Sequence, residues 1–517
     1  MKRPARKPLP RMASRKNASV KKTVRKAAKA VRKPAASARK KVAAVRAKAP
    51  ARSKPAKTTA KARKTKLTLV PRTTAATGAL KLPELHESTT STGLKVIAAE
   101  RGPLPLISVR LVMRAGGVWD PPGKDGLADF TARLLRRGTQ KLDADAISEA
   151  VEFVGASLYA GVNEDVLSVY LTTPAEHFSA MLDVLGQVVR EPTFPEQEVL
   201  DARDRALAQF ANDLDDPSSI ADRAFSRVLW GDHPYGRDLG GIKRTVSTFT
   251  RDDVVRFHAE RMGPRVSMLT VVGAIAPETV AAEAERAFAG WTGGPDAPTE
   301  LPRKQEPLAK SGQVLLIDKP DQTQSQVRLG GPGFWLGHED YFPATAMNIA
   351  LGGGFTSRLM NEIRVNRGLT YGVSSYFDTM SAGGVFALST FTKTASTREI
   401  IDVALEQIHG VRDGGLKPRE LKDAQSYLAG LYPLRTETNE SVASVIADVR
   451  IHGLGDDWVE KFRDRLRAVT PRDVARVAKK YAFADAPVIV VLGKASEVKP
   501  LLEGLGPITV VPASEYE

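Results

Sequence analysis

The chain has 517 residues, 42% of them hydrophobic and 26% charged, which is the balance of a soluble globular protein with material for roughly two to five domains. It contains no cysteine, which excludes disulfides, thiolate metal sites and a cysteine nucleophile, and no apolar run approaches the ~18 residues of a membrane-spanning helix. The formal net charge of +17 is unevenly placed: residues 1–66 hold 26 Lys or Arg and no acid, so residues 67–517 carry 50 basic against 59 acidic residues, a net −9.

Residues 1–66 are built from Lys, Arg, Ala, Pro, Ser and Thr, as in KKTVRKAAKAVRKPAASARKK. Without large apolar side chains to offset the entropy of ordering, this tail is predicted to be disordered. It has no apolar core of a secretory signal. The tail is similar to the low-complexity basic tails of linker histones and bacterial histone-like proteins. That resemblance implies non-specific, salt-sensitive contact with nucleic-acid phosphates. A solvated arm, a transit peptide and a mis-assigned translation start are the competing readings.

Beyond the tail, strand and helix patterns alternate. Residues 96–99, 106–114 and 166–171 read as strands, and residues 126–135, 143–154 and 196–212 as helices. The Pro- and Gly-rich stretch at residues 293–307 reads as an interdomain linker. The body then repeats itself. Thr250-Arg-Asp-Asp-Val-Val-Arg precedes the strand Met268-Leu-Thr-Val-Val-Gly, and Thr470-Pro-Arg-Asp-Val-Ala-Arg precedes Ile489-Val-Val-Leu-Gly, offset by 220. Ser108-Val-Arg-Leu matches Gln326-Val-Arg-Leu at 218, and Leu182-Asp-Val matches Ile401-Asp-Val at 219. Weak matches at nearly one offset predict two homologous α+β domains of about 200 residues each, sheet plus helices. Their expected extents are residues 80–292 and 308–510.

Gly126-Leu-Ala-Asp-Phe-Thr-Ala-Arg-Leu-Leu-Arg-Arg-Gly-Thr139 resembles the G-L-A-H-F-L-E-H-M-L-F-K-G-T stretch of pitrilysin/insulinase-type zinc peptidases. The likeness extends over nearly all of residues 80–510 and takes in His233-Pro-Tyr-Gly236 and Gly352-Gly-Gly354. In that family, two His at i and i+4 of a helix bind Zn²⁺ and the Glu between them activates the metal-bound water. The resemblance puts Asp129 at the first His position, Ala132 at the Glu position and Arg133 at the second His position. The family's E-x₆-E pattern, whose Glu is the third ligand, falls on Ala202 and Gln209. Nor is the motif relocated: the seven histidines stand at 86, 177, 233, 258, 338, 409 and 452, with no two four apart. This chain is therefore expected to hold no metal of its own. Asp129 and Arg133, acid first and four apart, are expected to pair instead; an ordinary exposed helix pair with no such history has the same sequence.

The second half carries Leu351-Gly-Gly-Gly-Phe-Thr-Ser-Arg-Leu-Met-Asn-Glu-Ile-Arg-Val-Asn-Arg-Gly-Leu-Thr-Tyr371. This is close to the family's G-G-G-x-x-S-R-L-x-x-x-I-R-x-x-x-G-x-x-Y, whose Arg and Tyr contact substrate carbonyls. They map onto Arg364 and Tyr371. A guanidinium and a phenolic O–H both donate to carbonyl oxygens, increasingly so as those oxygens become anionic. Gly368 is expected to end the helix bearing Arg364, with Tyr371 starting the next strand. A structural role, with Arg364 at its own helix C-terminus and Tyr371 in the core, is the competing reading. The strand Ser157–Val162 matches the family's edge strand, which takes up peptide by β-augmentation, although a plain sheet strand reads alike. His233 and Tyr235 read as structural.

The resemblance implies a clamshell-forming, zinc-less substrate-binding subunit that works with an H-x-x-E-H-bearing catalytic subunit of the same family, which would hold the zinc, on peptides or unfolded proteins. The alternatives are a catalytically inert peptide-binding or structural homologue, and a nucleic-acid-associated protein acting through residues 1–66. No membrane association is expected. The expected compartment is the cytoplasm, or an organelle matrix if the tail is a transit peptide.

Overall fold

The computed structural model describes residues 81–213, 215–299, 301, 312–455, 457–482 and 487–516. The tail at residues 1–66 lies outside them, as does much of the linker. The described linker residues, 293–299 and 301, form neither helix nor strand.

Two six-stranded mixed sheets organise the chain. The first holds β1 (His86–Thr89), β2 (Lys95–Glu100), β3 (Leu106–Met113), β4 (Ser157–Val162), β5 (Leu167–Pro174) and β6 (Ser267–Gly273), in the order β1-β2-β6-β3-β5-β4. The second holds β7 (Val314–Asp318), β8 (Gln324–Pro332), β9 (Val373–Thr379), β10 (Gly384–Lys393), β11 (Val488–Gly493) and β12 (Ile508–Pro512), in the order β12-β7-β11-β8-β10-β9. From β2 and β7 onward the two orders are the same. In each, one parallel pair (β2 with β6, β7 with β11) leads into antiparallel pairs. The outer strands differ: β1 is antiparallel to β2, whereas β12 is parallel to β7. The expected pair of homologous α+β domains is what the chain forms.

Strand alternation decides what each sheet face meets. Along β3, Ile107, Val109, Leu111 and Met113 enter a core shared with Leu182 and Leu185 of the helix Phe178–Arg190. The opposite face of β3 presents Ser108, Arg110 and Val112. That face is covered from the other half of the chain. The helix Asn439–Ile451 lays Val442, Ala443 and Ile446 on Ile97, Ala99 and Val272, and Ala447 on Val112. Reciprocally, the helix Pro217–Trp230 lays Ile220, Ala224 and Phe225 on Ile317, Ala387 and Val490 of the second sheet. Each half thus lends a crossing helix to the other, and both halves lie within one compact unit.

The repeated Val-Arg-Leu triplets sit at these contacts. Arg110 is 6% exposed and donates to Asp448 Oδ1 at 2.9 Å and to the Ser444 carbonyl at 3.2 Å, both on the crossing helix. Arg328 is 1% exposed and donates to Asp222 Oδ1 and to Ser218 Oγ, the latter at 2.7 Å. The other repeated motif is a capping box. Thr250 Oγ1 accepts from Asp253 N and the Asp253 carboxylate accepts from Thr250 N; Thr470 and Asp473 do the same. Tyr235 joins the halves as well. Its buried hydroxyl donates to Asp165 at 2.6 Å and accepts from Ala382 N at 3.0 Å, while His233 Nδ1 accepts from Tyr235 N. Among the described residues no helix is long and apolar enough to cross a membrane.

Asp222→Ala leaves the Arg328 guanidinium buried without a carboxylate. Because the Asp222 carboxylate is itself half exposed, such a loss is expected to cost roughly 1–3 kcal/mol, measured as a lower urea midpoint at unchanged m-value. An unshifted midpoint would mean that the Ser218 and Thr390 oxygens alone satisfy Arg328.

Candidate functional site

The helix Leu127–Leu134 carries the residues of the resembled metal motif, and its start is fixed by residues outside that motif. Gly126 adopts φ +93° against Gly241, whose backbone nitrogen would stand 2.4 Å from an added Cβ. The buried Asp120 carboxylate accepts from Gly126 N and Ala128 N, both at 2.7 Å. Burial pushes the Asp120 carboxyl up to about 7, against those two amides and Arg237, which favour the charge.

On the outer face of this helix Arg133 Nε donates to Asp129 Oδ2 at 2.7 Å, the pairing expected from the spacing. Burial raises the Asp129 carboxyl above its usual range, opposed by Arg133. Ala132 is 2% exposed and points into the core. The helix Glu196–Asp213 packs alongside and brings Ala202 partly buried and Gln209 exposed. β4 flanks the site as the outermost strand of its sheet. On it Tyr159 stacks on Tyr170 and donates to Glu440 at 2.7 Å, which ties the edge strand to the crossing helix.

In the second half the glycine run allows a close approach. A Cβ on Gly352 would lie 2.4 Å from Ser375 Oγ of β9. The same junction is held by Asn348, which donates to the Ser375 carbonyl and accepts from its hydroxyl. Two π-helical segments follow, Ile349–Gly353 and Met360–Asn366. Arg358 grips Glu420 with two bonds of 2.8 and 2.7 Å. Arg364 differs from it: among the described residues it has no hydrogen bond or ion pair, and its guanidinium lies 5.0 Å from the centre of the Phe355 ring. Gly368, at φ +64°, ends the segment as expected. Tyr371 is 83% exposed, which removes the core-aromatic reading. It stands two residues before β9 rather than starting it, because Thr370 Oγ1 both accepts from Gly372 N and donates to the Gly372 carbonyl in a local turn. Phe355, 74% exposed, was not picked out from the sequence, although a large aromatic directly after three glycines is a readable signal.

Residues 95–242 match the sequence model of the insulinase domain (peptidase family M16), and residues 248–428 match that of the peptidase M16 inactive domain. An uncharacterised zinc protease of Streptomyces coelicolor is 26% identical over 73% of this chain and 84% of its own length. Another from Mycobacterium leprae is 28% identical over 68% of this chain and 78% of its own. Among solved structures, the peptidase M16 inactive domain from Pseudomonas fluorescens aligns with a TM-score of 0.74 at 27% identity, covering 79% of this chain and 98% of that one. A protease from Helicobacter pylori has the same fold, with a TM-score of 0.73 at 20% identity over 80% of this chain and 100% of that one. The chain belongs to the insulinase family, peptidase family M16.

Zinc, which the family implies, does not fit the residues present. The one carboxylate, Asp129, is held by the Arg133 guanidinium; that cation cannot deprotonate to become a ligand. Ala132 and Ala202 have no donor atom. Among the described residues no group of three or more His, Asp or Glu converges as a metal site.

Two outcomes follow. After equilibration with excess zinc and dialysis, the purified full-length chain is expected to retain far less than one equivalent by elemental analysis, and stoichiometric retention would contradict the reading of the site. The second concerns pH. The folded pKa of Asp120 lies above its unfolded value, so the stability contributed by its neutral form is complete below about pH 4 and is lost as pH rises towards about 7. Denaturation across that window should show a flatter pH dependence for Asp120→Asn than for the parent chain, and parallel profiles would remove the assignment.

Proposed function

We propose that this M16-family chain is the substrate-binding, non-catalytic subunit of a heteromeric zinc metalloendopeptidase acting on peptides or unfolded proteins. A second chain of the family, bearing H-x-x-E-H, completes it. The observation that carries this reading is the contrast between two arginines: Arg133 is neutralised by Asp129, whereas the donors of Arg364 are unclaimed among the described residues and lie near an exposed aromatic.

In this reading the zinc of the partner subunit supplies the activated water. Arg364 and Tyr371 donate to carbonyl oxygens of the bound peptide and hold it in register, and the bonds tighten as negative charge develops on oxygen. The unpaired edge of β4 supports uptake of an extended segment through main-chain hydrogen bonds, a mode that tolerates many sequences. The inert-homologue alternative predicts the same surface but no H-x-x-E-H chain in the complex.

The chain alone is expected to leave a fluorogenic peptide uncut, while the mixture with an H-x-x-E-H chain from the same cell cleaves it. Within that mixture Arg364→Ala and Tyr371→Phe should each lower kcat/KM by roughly 10–100-fold, with the complex eluting unchanged in size-exclusion chromatography. Full activity of the doubly substituted complex would remove both residues from the mechanism.

A further inference from the structure

A second site lies at the far side of the first sheet. A cavity of about 320 Å³ opens where β2 and β6 begin and β3 has just ended. Its apolar lining includes Ile97, Val112 and Met268. Around them stand the cations Lys95, Arg114, Arg265 and Arg450, with Glu87 as the one acid among the described lining residues. β2 is four strands from β4 in the sheet order, which at ~4.8 Å per strand is about 19 Å from the edge strand.

The charges do not cancel. Arg450 Nη2 donates to Glu87 Oε1 at 2.6 Å, and Arg265 reaches Asp296 at 3.1 Å. Arg114 is turned on the Ile451 carbonyl at 2.9 Å, a neutral acceptor at the end of the crossing helix. Lys95 has no hydrogen-bond or ion-pair partner among the described residues. Lys95 and Arg114 thus meet no carboxylate among the described residues at the rim of an apolar hollow, and gathering like charges there raises the local potential that an anion would relieve. The volume is at the lower end of small-molecule sites, and the combination of apolar lining and few polar groups is what such ligands use.

We propose that this cavity binds a small organic oxyanion, a phosphate or carboxylate on a short apolar body. The charged head lies among Lys95, Arg114 and Arg450, and the body rests on Ile97 and Met268. Since Arg450 belongs to the crossing helix and Lys95 and Arg114 to the first half, the ligand bridges the two halves of the chain.

The test uses the full chain labelled with ¹³C at the methionine methyls, with the Met268 signal identified by its loss in Met268→Leu. Phenyl phosphate, phenylacetate and benzyl alcohol are titrated separately. Saturable movement of the Met268 signal with at least one anion supports the site, and the tighter of the two identifies the head group. Benzyl alcohol should leave the signal in place. Lys95→Glu, at an exposed position, should weaken the anion about tenfold or more, as should Arg114→Gln in a variant whose melting curve shows it folded. Anions collected by the basic tail would not move Met268. The proposal is overturned if neither anion shifts the signal up to about 10 mM, an affinity below that of even weak specific ligands. It is equally overturned if Lys95→Glu binds as the parent does, or if benzyl alcohol binds as well as the anions.

Discussion

A six-stranded sheet has two faces to cover, and in this chain each half covers one with its own helices and borrows the cover for the other. The borrowed face is apolar at Ile97, Ala99 and Val272 in the first half and at Ile317, Ala387 and Val490 in the second. Leaving the Ile and Val side chains among them in water costs about 1.5–3 kcal/mol each. At the same face stand Arg110 and Arg328, whose carboxylate partners belong to the opposite half. The arginines are buried and the carboxylates half exposed, so the pairs are poor evidence of net stability, but they penalise any packing that leaves a buried guanidinium unpaired. The apolar contacts therefore hold the two halves together, and the two arginines help fix where the helices lie.

That arrangement explains how the site could change its residue types without changing its shape. The start of the helix Leu127–Leu134 is set by Asp120, by the positive φ of Gly126 and by the close approach of Gly241. None of these is at a position of the resembled metal motif. Asp129 and Arg133 lie on the outer face, the arginine exposed and the aspartate partly buried, and there the two make their own ion pair. The second half separates its roles in the same way. Gly352, Asn348 and Ser375 hold the helix against β9, Arg358 holds Glu420, and neither task falls to Arg364 or Tyr371.

What the sequence disclosed follows from which forces are local. The alternation in residues 106–114 located β3, because strand facing is decided within a few residues; the segments at Thr250 and Thr470 were legible as a repeat, and the structure shows them to be capping boxes. The helix exchange was not legible. Amphipathicity in residues 439–451 says that one face is apolar, yet not which sheet receives it. The Val-Arg-Leu repeat was visible as a repeat, but its meaning needed Asp448 and Asp222, more than a hundred positions away in each case. β1 was invisible because His86–Thr89 is exposed along its whole length and shows no alternation. The π-helical winding around Arg364 likewise has no short-range pattern to announce it. The cationic cavity gathers residues from 87 to 451, so composition and spacing could not reveal it.

Both halves also place a buried carboxylate at the first helix after the strand β3 or β8, and its electrostatics differ between them. Asp120 is met by two backbone amides at the helix start, and burial prevails, so the proton is held to about pH 7. Asp340, just before Tyr341–Asn348, is no more exposed, yet burial is outweighed there by Lys480, the Tyr481 hydroxyl and Arg476, and its carboxyl falls below the usual range. Amides supply partial charges fixed by the helix, whereas side-chain cations supply whole ones. At Asp120 the two amides and Arg237 fall short of the desolvation, whereas at Asp340 two cations and a hydroxyl exceed it. Asp120 bonds the amides at its helix start, whereas the Asp340 side chain makes no cap bond and is held by Arg476, Lys480 and Tyr481 of the helix Pro471–Tyr481. The helix start at Asp120 therefore responds to pH near neutrality, in the half whose metal-motif positions carry the Asp129–Arg133 ion pair.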